Sequence, residues 1–137
     1  MLMKSEIFIK SIVEELIRFP EIEFAYLFGS VVKKGIEKAE DIDIAIFFNE
    51  RLSEENIIRE KLNLESLLSI RIGKEFEITP LNLTSDPLFT HQVLKNKHLL
   101  IDRHHRLRVI KEAKWRNEYF DMQPLWKEYR RKVFGFG

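Results

Sequence analysis

Two carboxylates spaced two residues apart, Asp41 and Asp43, follow the dipeptide Gly29-Ser30 after ten intervening residues. In an extended strand alternate side chains share a face, so Asp41 and Asp43 point one way while Ile42, Ile44 and Ile46 point into a core. Such carboxylates stand roughly 6.6 Å apart and can converge on two metal ions about 3.5–4 Å from each other. Mg²⁺ takes oxygen ligands and commonly shares them with substrate phosphates. The Gly-Ser turn supplies the complementary part. Gly29 lets the backbone approach a phosphate, Ser30 adds a hydroxyl, and a helix starting there aims free N–H groups at the anion. Lys33 and Lys34 lie within reach of the same phosphates. Asp-x-Asp alone is most often a solvated strand edge. With the preceding Gly-Ser element it becomes an apparatus for in-line displacement at phosphorus, driven mainly by charge stabilisation.

Several elements must position these residues. Phe8, Ile12, Leu16 and Phe19 recur at helical spacing, predicting a helix from about Lys4 to Phe19 that Pro20 stops. Ile22 to Phe28 reads as a strand ending at Gly29-Ser30, and a polar stretch, Lys33 to Glu40, leads into a second strand, Asp41 to Phe48. Ser53 is placed to cap a helix reaching about Arg71, closed by Gly73. Glu75 to Leu83 reads as a third strand, in which Pro80 implies an edge or a strand end. A short helix over Pro87 to Lys95 and a short strand over His98 to Ile101 follow. Asp102 is the expected cap of a long last helix that Pro124 interrupts or restarts. The order predicts an α/β (α+β) chain with a small mixed sheet flanked by helices.

The segments Leu27-Phe28-Gly29-Ser30 and Glu40-Asp41-Ile42-Asp43-Ile44-Ala45-Ile46 resemble the signature of the minimal nucleotidyltransferases (MNT) of the DNA polymerase β superfamily, with the same 12-position separation between Gly29 and Asp41. Phe76-Glu77-Ile78-Thr79-Pro80-Leu81-Asn82 is similar to the family segment that carries a third carboxylate. Val93 to Leu100 and Tyr119 to Pro124 resemble its later elements. Two departures stand out: Lys34 occupies the expected glycine position, with Gly35 next, and Glu77 replaces the expected Asp. The resemblance implies a polymerase β-like fold with residues 1–102 as the nucleotidyltransferase domain. Residues 103–137 would form a helical extension packing on it, within one domain overall. It implies nucleotide contacts from Gly29, Ser30, Lys33 and Lys34. Asp41, Asp43 and Glu77 are then the catalytic residues and ligands of two Mg²⁺ ions, with ATP as substrate.

Composition bounds the function. With 137 residues, 45% hydrophobic and 11 Phe, the chain is long enough for one packed core. It has no cysteine, hence no disulfide, thiolate metal site or cysteine nucleophile. No run approaches a membrane span, and charges interrupt the N-terminal segment, which favours a cytoplasmic protein. Residues 1–102 carry 13 Lys and Arg against 18 Asp and Glu, whereas residues 103–137 carry 10 against 4. That basic tail is rich in aromatics: Trp115, Tyr119, Phe120, Trp126, Tyr129, Phe134 and Phe136. Arg103, Arg106, Arg108, Lys111, Arg130 and Arg131 interleave with them. The combination favours a protein partner, with RNA contact ranked below it. His91, His98, His104 and His105 include no helical i, i+4 pair of the kind a two-histidine metal site uses.

By resemblance, the chain is the antitoxin of a pair whose toxin is a helical HEPN ribonuclease. It would transfer AMP from ATP to a toxin hydroxyl, a tyrosine. The alternatives are an antitoxin that acts by binding alone and a nucleotidyltransferase acting on a small molecule. The chain is not itself the toxin, because no Arg lies five residues before any His.

Overall fold

The computed structural model describes residues 2–135. Met1, Phe136 and Gly137, and the side chains of Leu2, Met3, Lys4 and Phe134, lie outside the described residues; Phe134 and Phe136 of the aromatic tail are among them. The order is α1 (Leu2–Leu16), β1 (Ile22–Phe28), α2 (Ser30–Lys34), β2 (Asp41–Phe48), α3 (Glu54–Ile72), β3 (Glu75–Pro80), α4 (Pro87–Lys95), β4 (Lys97–Asp102) and α5 (His105–Phe134). A 3₁₀ turn, Leu81–Leu83, follows β3. The four strands form one mixed sheet in the order β3-β2-β1-β4. β1 pairs antiparallel with both β2 and β4, and β2 pairs parallel with β3. No described helix is long and apolar enough to cross a membrane.

The alternation of β1 and β2 sends side chains to both faces, and both are covered. Ala25, Leu27, Ile42, Ile44 and Ile46 meet Ile12 and Leu16 of α1 and Leu64 and Leu68 of α3. On the other face Phe24, Tyr26, Phe28 and Phe47 meet Val93 of α4 and Trp115 of α5. Burial of each large apolar side chain contributes about 1.5–3 kcal/mol, so the two central strands form the rigid frame. Arg71 of α3 ties that layer to α1 through Glu15 at 2.8 Å and Glu14 at 3.1 Å.

Three ends differ from the sequence expectation. α1 stops at Leu16 rather than Phe19: Arg18 and Phe19 donate to carbonyls three residues back, a tightened turn ahead of Pro20. β3 stops at Pro80 rather than Leu83. Asn82 then takes over the ladder, its amide accepting from the Phe48 N–H and donating to the Phe48 carbonyl, both at 2.8 Å. At the start of α5 the capping position is His104, not Asp102. The Asp102 carboxylate instead holds Nδ1 of His105 and Nε of Arg108, both at 3.0 Å. Pro124 neither breaks nor restarts α5, which runs through it. Proline lacks the N–H that would pair with the Phe120 carbonyl, and both residues are exposed, where water can serve that carbonyl.

Candidate active site

The candidate residues meet where three neighbouring strands share one end. β1 ends at Phe28, and Gly29 turns the chain into α2 with φ of 81°, a conformation that penalises a Cβ. A Cβ added at Gly29 would sit 2.9 Å from Oδ2 of Asp43. The turn backbone therefore lies against the carboxylate. No side chain caps α2, and Ser30 in its first turn is exposed.

Asp43 stands opposite Phe28 of β1 on one side and Glu77 of β3 on the other, and Asp41 stands opposite Glu75. Paired residues share a face at a strand spacing of about 4.8 Å. Asp41, Asp43, Glu75 and Glu77 thus form a two-by-two array of carboxylates, while the intervening Ile42, Ile44, Phe76 and Ile78 are buried on the opposite face. Asp41, Glu75 and Glu77 are exposed and Asp43 is half-buried. Burial raises the pKa of Asp43, and the negative charges of Glu77 and Asp41 raise it further.

This donor set fits a hard divalent cation: every ligand atom is oxygen, and the crowding that raises the Asp43 pKa is the kind a cation relieves. Among the described residues no three acidic, His or Cys side chains are gathered closely enough to hold a metal ion unaided. Like charges on one sheet face stand apart without a counter-charge.

Lys33 and Lys34 occupy the last turn of α2, exposed, and neither is among the charges that shift Asp43. The four histidines do not gather: His91 stacks on Tyr119, His104 pairs with Glu23, and His105 pairs with Asp102.

Two contributors escaped sequence reasoning. Glu75 completes the array, and its spacing to Glu77 repeats that of Asp41 to Asp43, a signal present in the sequence. Lys74 pins the loop entering β2, donating to the carbonyls of Ala39 at 2.7 Å and Glu37 at 3.2 Å. Nothing in the sequence marked that role, because the contact joins residues 35 positions apart.

The family description "Polymerase beta, Nucleotidyltransferase" matches residues 10–106, more than half of the chain. No curated protein matches in sequence. Among solved structures, the chain is similar to one in a tri-AMPylated Shewanella oneidensis HEPN toxin in complex with MNT antitoxin. That match has 17% identity, 96% of each chain covered and a TM-score of 0.64. It is also similar to a chain of the toxin–antitoxin MntA-HepT, at 17% identity, 95% and 96% coverage and a TM-score of 0.62. A toxin–antitoxin structure with AMP-PNP matches at 17% identity, 90% and 95% coverage and a TM-score of 0.61. At these identities the likeness is one of fold.

Proposed function

The chain belongs to the polymerase β nucleotidyltransferase family, and from that membership we propose that it transfers AMP from ATP to a tyrosine hydroxyl of a HEPN-type helical toxin, acting as its antitoxin in the cytoplasm. The observation that carries the reading is the register that sets Glu77, Asp43 and Phe28 side by side with Gly29 closed against Asp43. Similar folds occur in toxin–antitoxin complexes, one with a tri-AMPylated toxin and one with AMP-PNP, which supports the same acceptor class and nucleotide.

Gly29 and the first turn of α2 would receive the triphosphate, with Ser30 adding a hydroxyl and Lys33 and Lys34 its outer charge. Asp41, Asp43 and Glu77 would hold Mg²⁺. When bound, Mg²⁺ supplies charge neutralisation at the attacking and leaving oxygens. The acceptor oxygen bonds to the α-phosphorus as the bond to the bridging oxygen breaks. Pyrophosphate leaves, and the hydroxyl proton passes to a carboxylate, for which Glu77 stands nearest in register to Asp43.

Parallel reactions with α- and γ-labelled ATP on the co-expressed partner test this. Label from the α position alone, lost in Asp43→Asn, is the expected result. Label from the γ position, or transfer unchanged in Asp43→Asn, overturns it.

A binding-only antitoxin is the second reading, favoured by Glu77 standing where the family carries Asp and by the exposed apolar side chains Leu125, Tyr129 and Val133 of α5. It predicts neutralisation that survives Asp41→Asn.

A further inference from the structure

A groove of about 400 Å³ runs between α4 and the second half of α5, lined by Leu88, Tyr119, Trp126, Lys127, Tyr129 and Arg130. It shares no residue with the carboxylate array. Beyond Tyr119, α5 carries Met122, Leu125, Trp126, Tyr129 and Val133 at offsets of 0, 3, 4, 7 and 11, a single stripe down a helix. Leu125 and Tyr129 are each 62% exposed and Val133 is 53% exposed. An apolar stripe of this length on an exposed helix marks a contact surface. Its charge is one-sided. Arg131 and Lys132 are both engaged by Glu128, at 2.8 and 3.8 Å, whereas Lys127 and Arg130 at the groove have no carboxylate partner among the described residues.

We infer that this groove docks an acidic amphipathic helix of a partner protein, its apolar face on Leu88, Trp126 and Tyr129, where the stripe meets the groove, and its carboxylates against Lys127 and Arg130. The helical form of the occupant follows from the three-and-four spacing of the stripe, which matches ridges of another helix. Its acidic sign follows from the two unpartnered cations. A second copy of the chain fits less well. Residues 121–135 hold four basic and two acidic side chains, and a two-fold pairing sets that excess against itself. RNA also fits less well, because two of the three aromatic rings lining the groove are already engaged. Tyr119 already stacks on His91 with centroids 3.6 Å apart and meets Trp126 edge-on at 5.4 Å.

The inference rests on the reading that this chain has a HEPN-type helical partner, and it adds where that partner sits. The test measures affinity of the full chain for that partner by titration calorimetry. It compares wild type, the double variant Lys127→Glu/Arg130→Glu, Tyr129→Asp, and Lys132→Glu as a control outside the groove. All four positions are exposed, and circular dichroism checks that each variant folds. The expected result is a loss of about 30-fold or more for the double variant and for Tyr129→Asp, with Lys132→Glu within about threefold of wild type. Groove variants that bind as tightly as wild type overturn the docking site and leave the transfer reading standing. A wild-type dimer, or an RNA complex, that the groove variants dissolve assigns the groove to that occupant and overturns it too. A wild-type chain that neither binds nor modifies the partner removes the transfer reading and the docking site together.

Discussion

Gly29 and Asp43 are in contact in a way only glycine permits: a Cβ at position 29 would lie 2.9 Å from Oδ2 of Asp43, on a backbone with φ of 81°. Gly29→Ala meets both obstacles. The backbone conformation, φ 81° with ψ −154°, is one essentially only glycine visits and costs about 1–3 kcal/mol, and the carboxylate must move aside. We expect a modest drop in melting temperature and a loss of nucleotidyl transfer of about 100-fold or more, since displacements near 1 Å are that costly. Retained transfer in a folded Gly29→Ala chain would show that this contact does not position Asp43.

Burial first, and the like charges of Glu77 and Asp41 after it, raise the pKa of Asp43, and the shift has a sign that can be read out. Its folded-state pKa lies above its unfolded value, so the folded chain binds a proton more readily. Stability contributed by this group is then full at low pH and is lost as pH rises through the folded pKa. Asp43→Asn without metal should therefore stabilise the fold at neutral pH by up to about 1 kcal/mol, allowing for solvent screening. The gain should vanish toward acid pH, and Mg²⁺ should raise the melting temperature of wild type more than that of Asp43→Asn. Thermal scans from acid to neutral pH, with and without Mg²⁺, check all three. Asp43→Asn less stable than wild type at neutral pH without metal would contradict the like-charge account.

Tyr26 joins the sheet to α5. Its hydroxyl donates to Oε2 of Glu112, which also accepts from Arg108 at 2.9 Å, with Lys97 3.9 Å from the other oxygen. Burial first, and Glu112 second, hold the phenol well above its ordinary pKa, so it stays a neutral donor. Tyr26→Phe leaves a buried carboxylate one donor short and should cost about 1–3 kcal/mol in urea unfolding. A change within about 0.5 kcal/mol would mean that the cations around Glu112, namely Arg108, Arg116 and Lys97, satisfy it without Tyr26.

Asn82 replaces a stretch of strand with its side chain. Asn82→Ala removes both bonds to Phe48 and should cost about 1–3 kcal/mol. Asn82→Asp keeps only the acceptor and sets a carboxylate oxygen against the Phe48 carbonyl, so it should destabilise at neutral pH and partly recover on acidification. Urea unfolding of the Asn82→Asp chain across that pH range is the check, and a stability that ignores pH would argue against the geometry.

Local chemistry made much of this molecule readable along the chain. β-branched and aromatic runs bounded by Gly29 and Asn49 gave β1 and β2 with their ends, and Ser53 and Gly73 framed α3 because cap and left-handed closure are properties of single residues. The alternation Asp41-Ile42-Asp43 already decided which side chains face outward. Contacts between distant residues were not readable. The extent of α1 and β3, the cap of α5 and its passage through Pro124 depend on what each end packs against or leaves to water. The roles of Glu75, Lys74 and Asn82 come from pairings 34 or 35 positions apart for two of them, and from strand register for the third. The carboxylates and the glycine were therefore legible as residues. Their arrangement as an array with Gly29 against Asp43 belongs to the tertiary structure, because register and close approach are set by the packing of β1, β2 and β3 rather than by any one segment.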